Sequence, residues 1–415
     1  MRDGWIIKRL DEVCAKFGAG PFGSNMKVST FVDTGIPVVS GNHMTELELL
    51  EKSFNYITEE HANKMQSSIV QRNDVVITKA GTIGQVSLIP ENSRFLKYVL
   101  SSRQLFVRPN LEQVLPKYLA IYLKYGRGQD QILSNVNRTG VPSLSQAVSF
   151  IKNVRIELPP LPEQKRIVDL ISSVDSYIES LQPQLESAKR SRNAVLHELL
   201  TAGGDDWVET TLGEASEVIM GRQLSPSKKL GTRPRPYIRA ANIGSWGINL
   251  EDIYEMDFTE IEERRFACQV GDTILVEGGN EKSVGCPALI TEKESGLCIQ
   301  NTVIRCRSSN LKILDPSFQY HLLRFMFWRG DFAQLCAGTT IMHLGQKRAE
   351  VVPISIPPIR EQLDIVDTIS KFDLVVTNLE KTLDNAKALR SGLLSDLLSG
   401  EHEIPASYDK VIGAA

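Results

Sequence analysis

The sequence predicts an α+β protein in which two tandem mixed α/β domains alternate with two long helices, the whole chain being an internal repeat. Three observations carry this. First, the stretch Pro159-Pro160-Leu161-Pro162-Glu163-Gln164-Lys165-Arg166-Ile167-Val168-Asp169 returns as Pro357-Pro358-Ile359-Arg360-Glu361-Gln362-Leu363-Asp364-Ile365-Val366-Asp367. Second, each copy opens a run of apolar residues at alternating spacings of four and three, the mark of one helix face turned toward a partner. Third, the segments upstream of the two copies match each other in order, though more weakly.

Residues 1–155 read as the first mixed domain. Gly35-Ile36-Pro37-Val38-Val39-Ser40 and Asp74-Val75-Val76-Ile77-Thr78 are short β-branched runs bounded by turn formers, hence strands. Lys79-Ala80-Gly81-Thr82-Ile83-Gly84-Gln85-Val86 reads as a glycine loop feeding another strand. Leu115 to Tyr125 has helical spacing with Pro116 near its start.

Residues 156–204 form the first long helical region. Its seam is Ile167, Ile171, Val174, Ile178, Leu181, Leu185, Ala188, Arg192, Val195 and Leu199. Pro162 suits a first turn because the nitrogen it blocks has no intrahelical partner there, and Glu163 sits where the helix dipole favours an acid. A continuous helix from Pro162 to Leu200 spans roughly 57 Å. Pro183 argues for a bend or break, since an interior proline removes a hydrogen bond and costs about 3 kcal/mol.

Residues 205–353 repeat the first domain. Trp5 and Leu10 correspond to Trp207 and Leu212, Pro37-Val38-Val39 to Pro236-Tyr237-Ile238, and Asn42 to Asn242. Asn73-Asp74-Val75-Val76-Ile77 corresponds to Gly271-Asp272-Thr273-Ile274-Leu275, and Thr139-Gly140-Val141-Pro142-Ser143-Leu144 to Thr339-Thr340-Ile341-Met342-His343-Leu344. The halves diverge most in their middles, which suggests a shared frame holding two different surfaces.

Residues 354–400 carry the second seam in the same register: Ile365, Ile369, Phe372, Val376, Leu379, Leu383, Ala386, Arg390, Leu393 and Leu397. Arg192 and Arg390 interrupt the two seams at one place. Either each cation fixes the register of paired helices, or each reaches out to solvent along its aliphatic stem. Residues 401–415 form a tail of little predicted order, placed to pack near the N-terminus if it packs at all.

Length and composition fit about three soluble domains with ordinary cores. There is no apolar run of membrane-spanning length and no apolar leader, so a cytoplasmic protein is expected. Cys14, Cys268, Cys286, Cys298, Cys306 and Cys336 show no C-x-x-C spacing, and free thiols are expected rather than a zinc site or disulfides. Net charge is -3 with a pI near 6.2, unusual for a freestanding nucleic-acid binder. The basic residues are nonetheless clustered. Arg72, Lys79, Arg94, Lys97, Arg103, Arg108, Lys117, Lys124, Arg127 and Arg138 face only four acids in the same span, and Arg222 to Arg239 contains six basic residues and no acid. Such regions suit phosphate, although charge runs are also ordinary solvated faces.

Gly18-Ala19-Gly20-Pro21-Phe22-Gly23 fits G-x-G-x-x-G formally, but Pro21 and the missing acid about twenty residues on make it a surface turn. No phosphate-binding G-x-x-x-x-G-K-[ST] occurs, and the six histidines form no metal-spaced pair or triad. No catalytic residue, metal or cofactor is therefore assigned. The residues able to hold phosphates or read base edges are Lys79, Arg94, Lys97, Arg103, Asn137 and Arg138 in the first domain. In the second they are Arg222, Lys228, Lys229, Arg233, Arg235, Arg239 and Asn280.

The order domain, heptad helix, domain, heptad helix, with P-P-[LI]-x-E-Q-x-x-I-V opening each helix, resembles the DNA-specificity subunit of type I restriction-modification enzymes. The resemblance covers essentially residues 1–400, and Pro183 is its one departure. It implies two target-recognition domains, each reading half of a split asymmetric site in double-stranded DNA, held apart by an antiparallel helix pair. It also implies two adenine methyltransferase subunits docked on those helices, with restriction subunits joining for cleavage. S-adenosylmethionine and ATP with magnesium then belong to the partners. The chain itself is expected to be non-catalytic, in keeping with the absence of an Asn/Asp-Pro-Pro-Tyr/Phe tetrapeptide. A tandem duplication folding into a pseudo-two-fold body lets identical partners bind twice while unlike loops read unlike bases. Half-site spacing then follows from helix length. The competing expectation from seam and acidic pI alone is a coiled-coil scaffold that binds no nucleic acid.

Overall fold

The computed structural model describes residues 4–224, 232–244, 247–336 and 342–409. They fall into two units, Met1–Gln182 with Lys381–Ala415, and Pro183–Glu380.

In the first unit Ile6–Arg9 pairs antiparallel with Arg155–Leu158, tying the start of the mixed domain to its end. The main sheet is antiparallel in the order Cys14–Ala19, Gln104–Pro109, Val75–Thr78, Val86–Leu88. Val75–Thr78 is buried at every position, so it needs residues that fill both faces, and its Val-Val-Ile run supplies them. A second sheet runs Asn55–Ile57, Ile36–Val39, Lys97–Leu100, Ile69–Gln71, its middle pair parallel. The helix Pro116–Tyr125 is buried from Tyr118 to Leu123, and Tyr118 donates its hydroxyl to the Glu157 carbonyl at 2.7 Å.

The second unit repeats this plan. Val208–Thr211 pairs with Pro353–Ile356, and the main sheet runs Ser216–Met220, Val303–Ser308, Thr273–Val276, Pro287–Leu289. Tyr254–Asp257, Pro234–Ile238 and Cys298–Ile299 make the second sheet, and Pro316–Arg329 the helix. One correspondence shifts by a residue. Ser40 donates its backbone N–H to His43 Nδ1 at 3.0 Å, and Arg239 donates its own to Asn242 Oδ1 at 3.0 Å. The counterpart of Asn242 is thus His43 rather than Asn42, because the turn selects an acceptor three residues on and an imidazole nitrogen serves as well as an amide oxygen.

The long helices are Leu161–Thr201 and Ile359–Leu398. Within the first unit Ile167 and Ile171 share a core with Leu394, Leu397 and Leu398; within the second Leu196 and Leu200 share one with Ile365 and Ile369. Early residues of one helix meet late residues of the other, so the packing is antiparallel. Leu181, Leu185, Val376, Leu383 and Ala386 are also buried, while Val174, Ile178, Ala188, Val195, Leu199, Phe372, Leu379 and Leu393 are half-buried. The helix runs unbroken through Pro183. Pro183 and Glu179 are both exposed, so water is at hand for the carbonyl that a proline leaves without its N–H, which lowers the cost of an unbroken helix.

The doubled signature has a structural reason. Gln164 and Gln362 are fully buried. Gln164 Oε1 accepts the Leu115 N–H at 2.8 Å, and its Nε2 donates to the carbonyls of Gln113 and Pro159 at 3.0 and 2.8 Å. Gln362 does the same with Asp315 N–H at 2.8 Å and the carbonyls of Ile313 and Pro357, both at 2.7 Å. The preceding glutamates accept from matched indoles: Trp5 Nε1 donates to Glu163 at 3.3 Å and Trp207 Nε1 to Glu361 at 3.2 Å. The repeated residues dock each helix onto its own domain.

The seam arginines are paired, not turned out to solvent. Arg192 is buried, with Nη1 3.3 Å from Asp373; Arg324 reaches the same carboxylate at 2.7 Å, and both guanidiniums lie over Trp328 at 4.6 and 4.5 Å. Arg390 bonds Asp175 and lies 4.6 Å over Tyr125. Asp175 and Asp373 hold the same place in the two repeats, as the arginines do. The described part of the tail, residues 401–409, packs near the N-terminus: Ile404 is buried in the core that contains Trp5, and Arg166 pairs with Asp409 at 3.1 Å.

Candidate nucleic-acid interface

Each main sheet ends in a cluster of loops tied by backbone hydrogen bonds. In the first unit Lys79 follows the central strand; its N–H donates to the Arg103 carbonyl at 2.8 Å and its carbonyl accepts from Leu144 N–H at 2.9 Å. Gly81 N–H donates to Pro142 O at 2.9 Å, and Val136–Asn137 pairs with Ser143–Leu144. Gly81 and Gly84 hold φ near +89° and +87°, a turn closed to most L side chains. These bonds bring Lys79, Arg103, Asn137 and Arg138 to one end of the sheet. Among the described residues, none of the three cations there has an acid within ion-pair distance.

The formal glycine motif lies at the same end and is not a simple surface turn: Gly18-Ala19 end the strand Cys14–Ala19, and Gly23 opens a 3-10 turn, Gly23–Asn25. A Cβ on Gly20 would come within 1.7 Å of the Ser101 carbonyl, so glycine alone allows this approach. The loop carries Phe22, 86% exposed, which lines a 460 Å³ cavity with Asn25, Lys64, Ser67, Ser68, Lys79 and Ser102. Partial burial lowers the Lys79 ammonium from its ordinary value.

Arg94 and Lys97 are elsewhere. Lys97 begins the strand whose far end precedes Ser101, about 10 Å along, and its Nζ is 2.5 Å from Glu59. Arg94 Nε is 3.8 Å from Glu51, and its guanidinium lies over Phe95.

In the second unit Glu277 stands where Lys79 does: its N–H donates to Thr302 O at 2.9 Å and its carbonyl accepts from Leu344 N–H at 2.8 Å. Gly278–Gly279 pairs with Met342–His343, and Asn280 opens the following turn, its Oδ1 accepting the Lys282 N–H at 2.9 Å. Arg222 is withdrawn from the surface. It is buried, its Nε 2.9 Å from Glu262 and its Nη1 bonded to the Asp257 carbonyl, so it spends its donors inside the fold. Burial opposes ionisation of Glu262, but donors on Thr259 and the Arg222 guanidinium outweigh it and bring the carboxyl to about 2. Arg233 and Arg235 share Glu263 at 2.8 and 2.6 Å, and Arg239 pairs with Asp252 while lying 4.1 Å over Tyr254. Lys228, Lys229 and the Thr339-Thr340-Ile341 stretch lie outside the described residues.

The sequence reading missed Phe22, Glu277, His343 and Arg348. His343 Nδ1 is 3.1 Å from Glu277, and Arg348 donates to the His343 carbonyl at 2.6 Å. A signal for Glu277 was present: Lys79 and Glu277 follow the matched Asp74 and Asp272 at one spacing. Those aspartates anchor the two strands alike, Asp74 to Arg108 at 2.7 Å and Asp272 to Arg307 at 2.6 Å. The cysteines are unpaired, and burial pushes Cys14, Cys268, Cys298 and Cys306 up to about 12. Among the described residues no His, Cys, Asp and Glu side chains gather as a metal site, and no helix is long and apolar enough to cross a membrane.

The family model for the type I restriction modification DNA specificity domain matches twice, over residues 2–190 and 204–386. The EcoKI specificity subunit of Escherichia coli is 20% identical over 451 aligned positions, covering 99% of this chain and 95% of that one. The MjaVIII specificity subunit of Methanocaldococcus jannaschii is 20% identical over 360, covering 80% of each. The crystal structure of a type I S subunit from M. genitalium aligns with a TM-score of 0.56 at 15% identity, over 95% of this chain and 96% of that one. With the specificity domain matched in both halves, the chain belongs to the type I restriction-modification specificity subunits, non-catalytic chains that recognise DNA sequence for complexes whose catalysis lies in other subunits.

Proposed function

We propose that the chain reads a bipartite, asymmetric DNA site, with residues 1–155 and 205–353 as its two target-recognition domains. The helical regions 156–204 and 354–400 recruit two adenine methyltransferase subunits, and restriction subunits join them. In this reading S-adenosylmethionine and ATP with magnesium belong to the partners. The observation that supports it is the pair of loop clusters: the same two backbone bonds at Lys79 and at Glu277 at the end of each main sheet, with Lys79, Arg103 and Arg138 in one copy and Glu277, Asn280 and His343 in the other. A repeated frame with unlike side chains is what two different half-sites require. The near-neutral total charge fits a reader whose partners share the phosphate contacts.

The test is to express the chain with its methyltransferase partner and map methylated adenines across the host genome. One split motif is expected, and replacing residues 1–155 with the matching domain of another specificity subunit should change one half of it only. Changes in both halves refute the assignment of one half-site per domain. Absence of any DNA affinity at low salt, with partners present, favours the scaffold reading instead.

A further inference from the structure

We infer that the position closing the central strand of each main sheet, Lys79 in one unit and Glu277 in the other, contacts a base edge in the major groove rather than a phosphate. This rests on the proposed reading of the loop clusters as DNA-facing. The two residues occupy one place in the fold. Each donates its N–H to the carbonyl of the neighbouring strand's lead-in residue, and each accepts from the leucine after the loop hairpin, with all four bonds between 2.8 and 2.9 Å.

A phosphate-holding position takes a cation or a neutral donor but not a carboxylate, and every half-site has the same backbone. Opposite charge at one place argues that the position answers to something that differs between half-sites, and only the bases do. The chemistry then assigns complementary edges. A carboxylate accepts from the N4 amino group of cytosine, while an ammonium donates to O6 and N7 of guanine.

The surroundings of Glu277 suit an acid held against DNA. His343, Lys347 and Arg348 are exposed around it, and Lys282 is exposed in the adjoining turn, so the local field draws in the phosphates that flank a read base. Gly278 makes room for this arrangement, since a Cβ there would come within 2.9 Å of His343 Nδ1. The imidazole uses only part of what the carboxylate can accept, leaving lone pairs for a base amino group.

The test uses the full chain assembled with its methyltransferase subunits, in a host that lacks the system. Methylated motifs are mapped for the wild type, Glu277→Gln, Lys79→Met and the double variant Arg103→Ala/Arg138→Ala. Glu277→Gln should lower the preference for cytosine at one position of one half-site roughly tenfold. Lys79→Met should do the same for guanine in the other half, and the rest of each motif should hold. Unchanged motifs in both single variants overturn the inference while leaving the DNA-reading role intact. If Arg103→Ala/Arg138→Ala also binds and methylates like the wild type, the loop cluster is not the DNA face and the underlying reading falls with it. Should Glu277→Gln abolish methylation, the purified complex is titrated against duplexes varied at each motif position. Weakening confined to one base pair supports the inference, and equal weakening for every sequence overturns it.

Discussion

Replacing Gln362 by Met tests whether the doubled signature is a structural clamp. Methionine matches glutamine in length and helix preference, so the change removes hydrogen bonds with little loss of volume. It strands the Asp315 N–H and the carbonyls of Ile313 and Pro357, all satisfied by Gln362 at 2.7 to 2.8 Å in a fully buried position. A buried polar group left unpaired costs about 1–3 kcal/mol, the N–H most and the carbonyls less, which puts the total at about 3–5 kcal/mol. Asp315 is also the N-cap of Pro316–Arg329, where its carboxylate accepts the N–H groups of Ser317 and Phe318 at 2.9 and 3.0 Å. Loosening its backbone therefore loosens a cap as well. Urea unfolding of the second unit should shift by about 1–2 M, given a slope of about 2–3 kcal/mol per molar. Gln164→Met should cost a similar amount in the first unit, and the two losses should add because the residues share no partner. A loss below about 1 kcal/mol in either variant would refute the clamp, showing that those backbone groups find other partners or water.

Three further outcomes follow from the same geometry. A double-mutant cycle on Asp175 and Arg390 should give a coupling of about 1–3 kcal/mol, measured by denaturant unfolding; zero coupling would mean the seam arginine contributes only its stem. Removing Arg192 should cost less in stranded charge than removing Arg390, because Asp373 keeps Arg324 at 2.7 Å whereas Asp175 has no second cation within ion-pair distance among the described residues. Burial, with Arg324 nearby, lowers His321 to about 4, and its Nδ1 has no partner. The unfolded chain therefore takes up a proton first as pH falls, so the second unit should lose about 3 kcal/mol between pH 7 and 4. His321→Ile, copying Ile121 at the matching place in the first unit's helix, should remove that part of the acid sensitivity; an unchanged pH profile would count against it.

The frame was legible because its determinants are local or repeated. Two-residue periodicity, turn formers and a seam in fixed register do not depend on what lies across the fold. The doubled motif marked the helix starts before the role of Gln164 and Gln362 could be known, since two of the three partners of each are backbone groups about fifty residues upstream. Charge alone did not foresee the pairing. Arg222, Arg233, Arg235 and Arg239 belong to a run of six basic residues without an acid, yet all four meet carboxylates from the following segment, Asp252 to Glu263, and Arg222 goes inside. A cation run reads as a phosphate surface only after acids far along the chain have been placed. Pro183 misled, because its cost depends on whether water is at hand for the freed carbonyl.

The division between repeated and divergent residues is a division of physical labour. Residues that recur hold a matched partner in each copy: Gln164 and Gln362 on backbone, Trp5 and Trp207 on glutamate, Asp74 and Asp272 on arginine, and Asp175 and Asp373 on the seam cations. Changing one of these leaves its partner bare, and around Gln164, Gln362, Asp74 and Asp272 it does so in the interior. Lys79 and Glu277 share their backbone bonds, and neither side chain is needed to satisfy a buried group, since His343, the partner of the Glu277 carboxylate among the described residues, is exposed. The sheet end can therefore exchange an ammonium for a carboxylate without disturbing the strand beneath it. On the proposed reading, stability resides in one set of residues and sequence preference in another, so a duplicated chain could serve two different half-sites while keeping one fold.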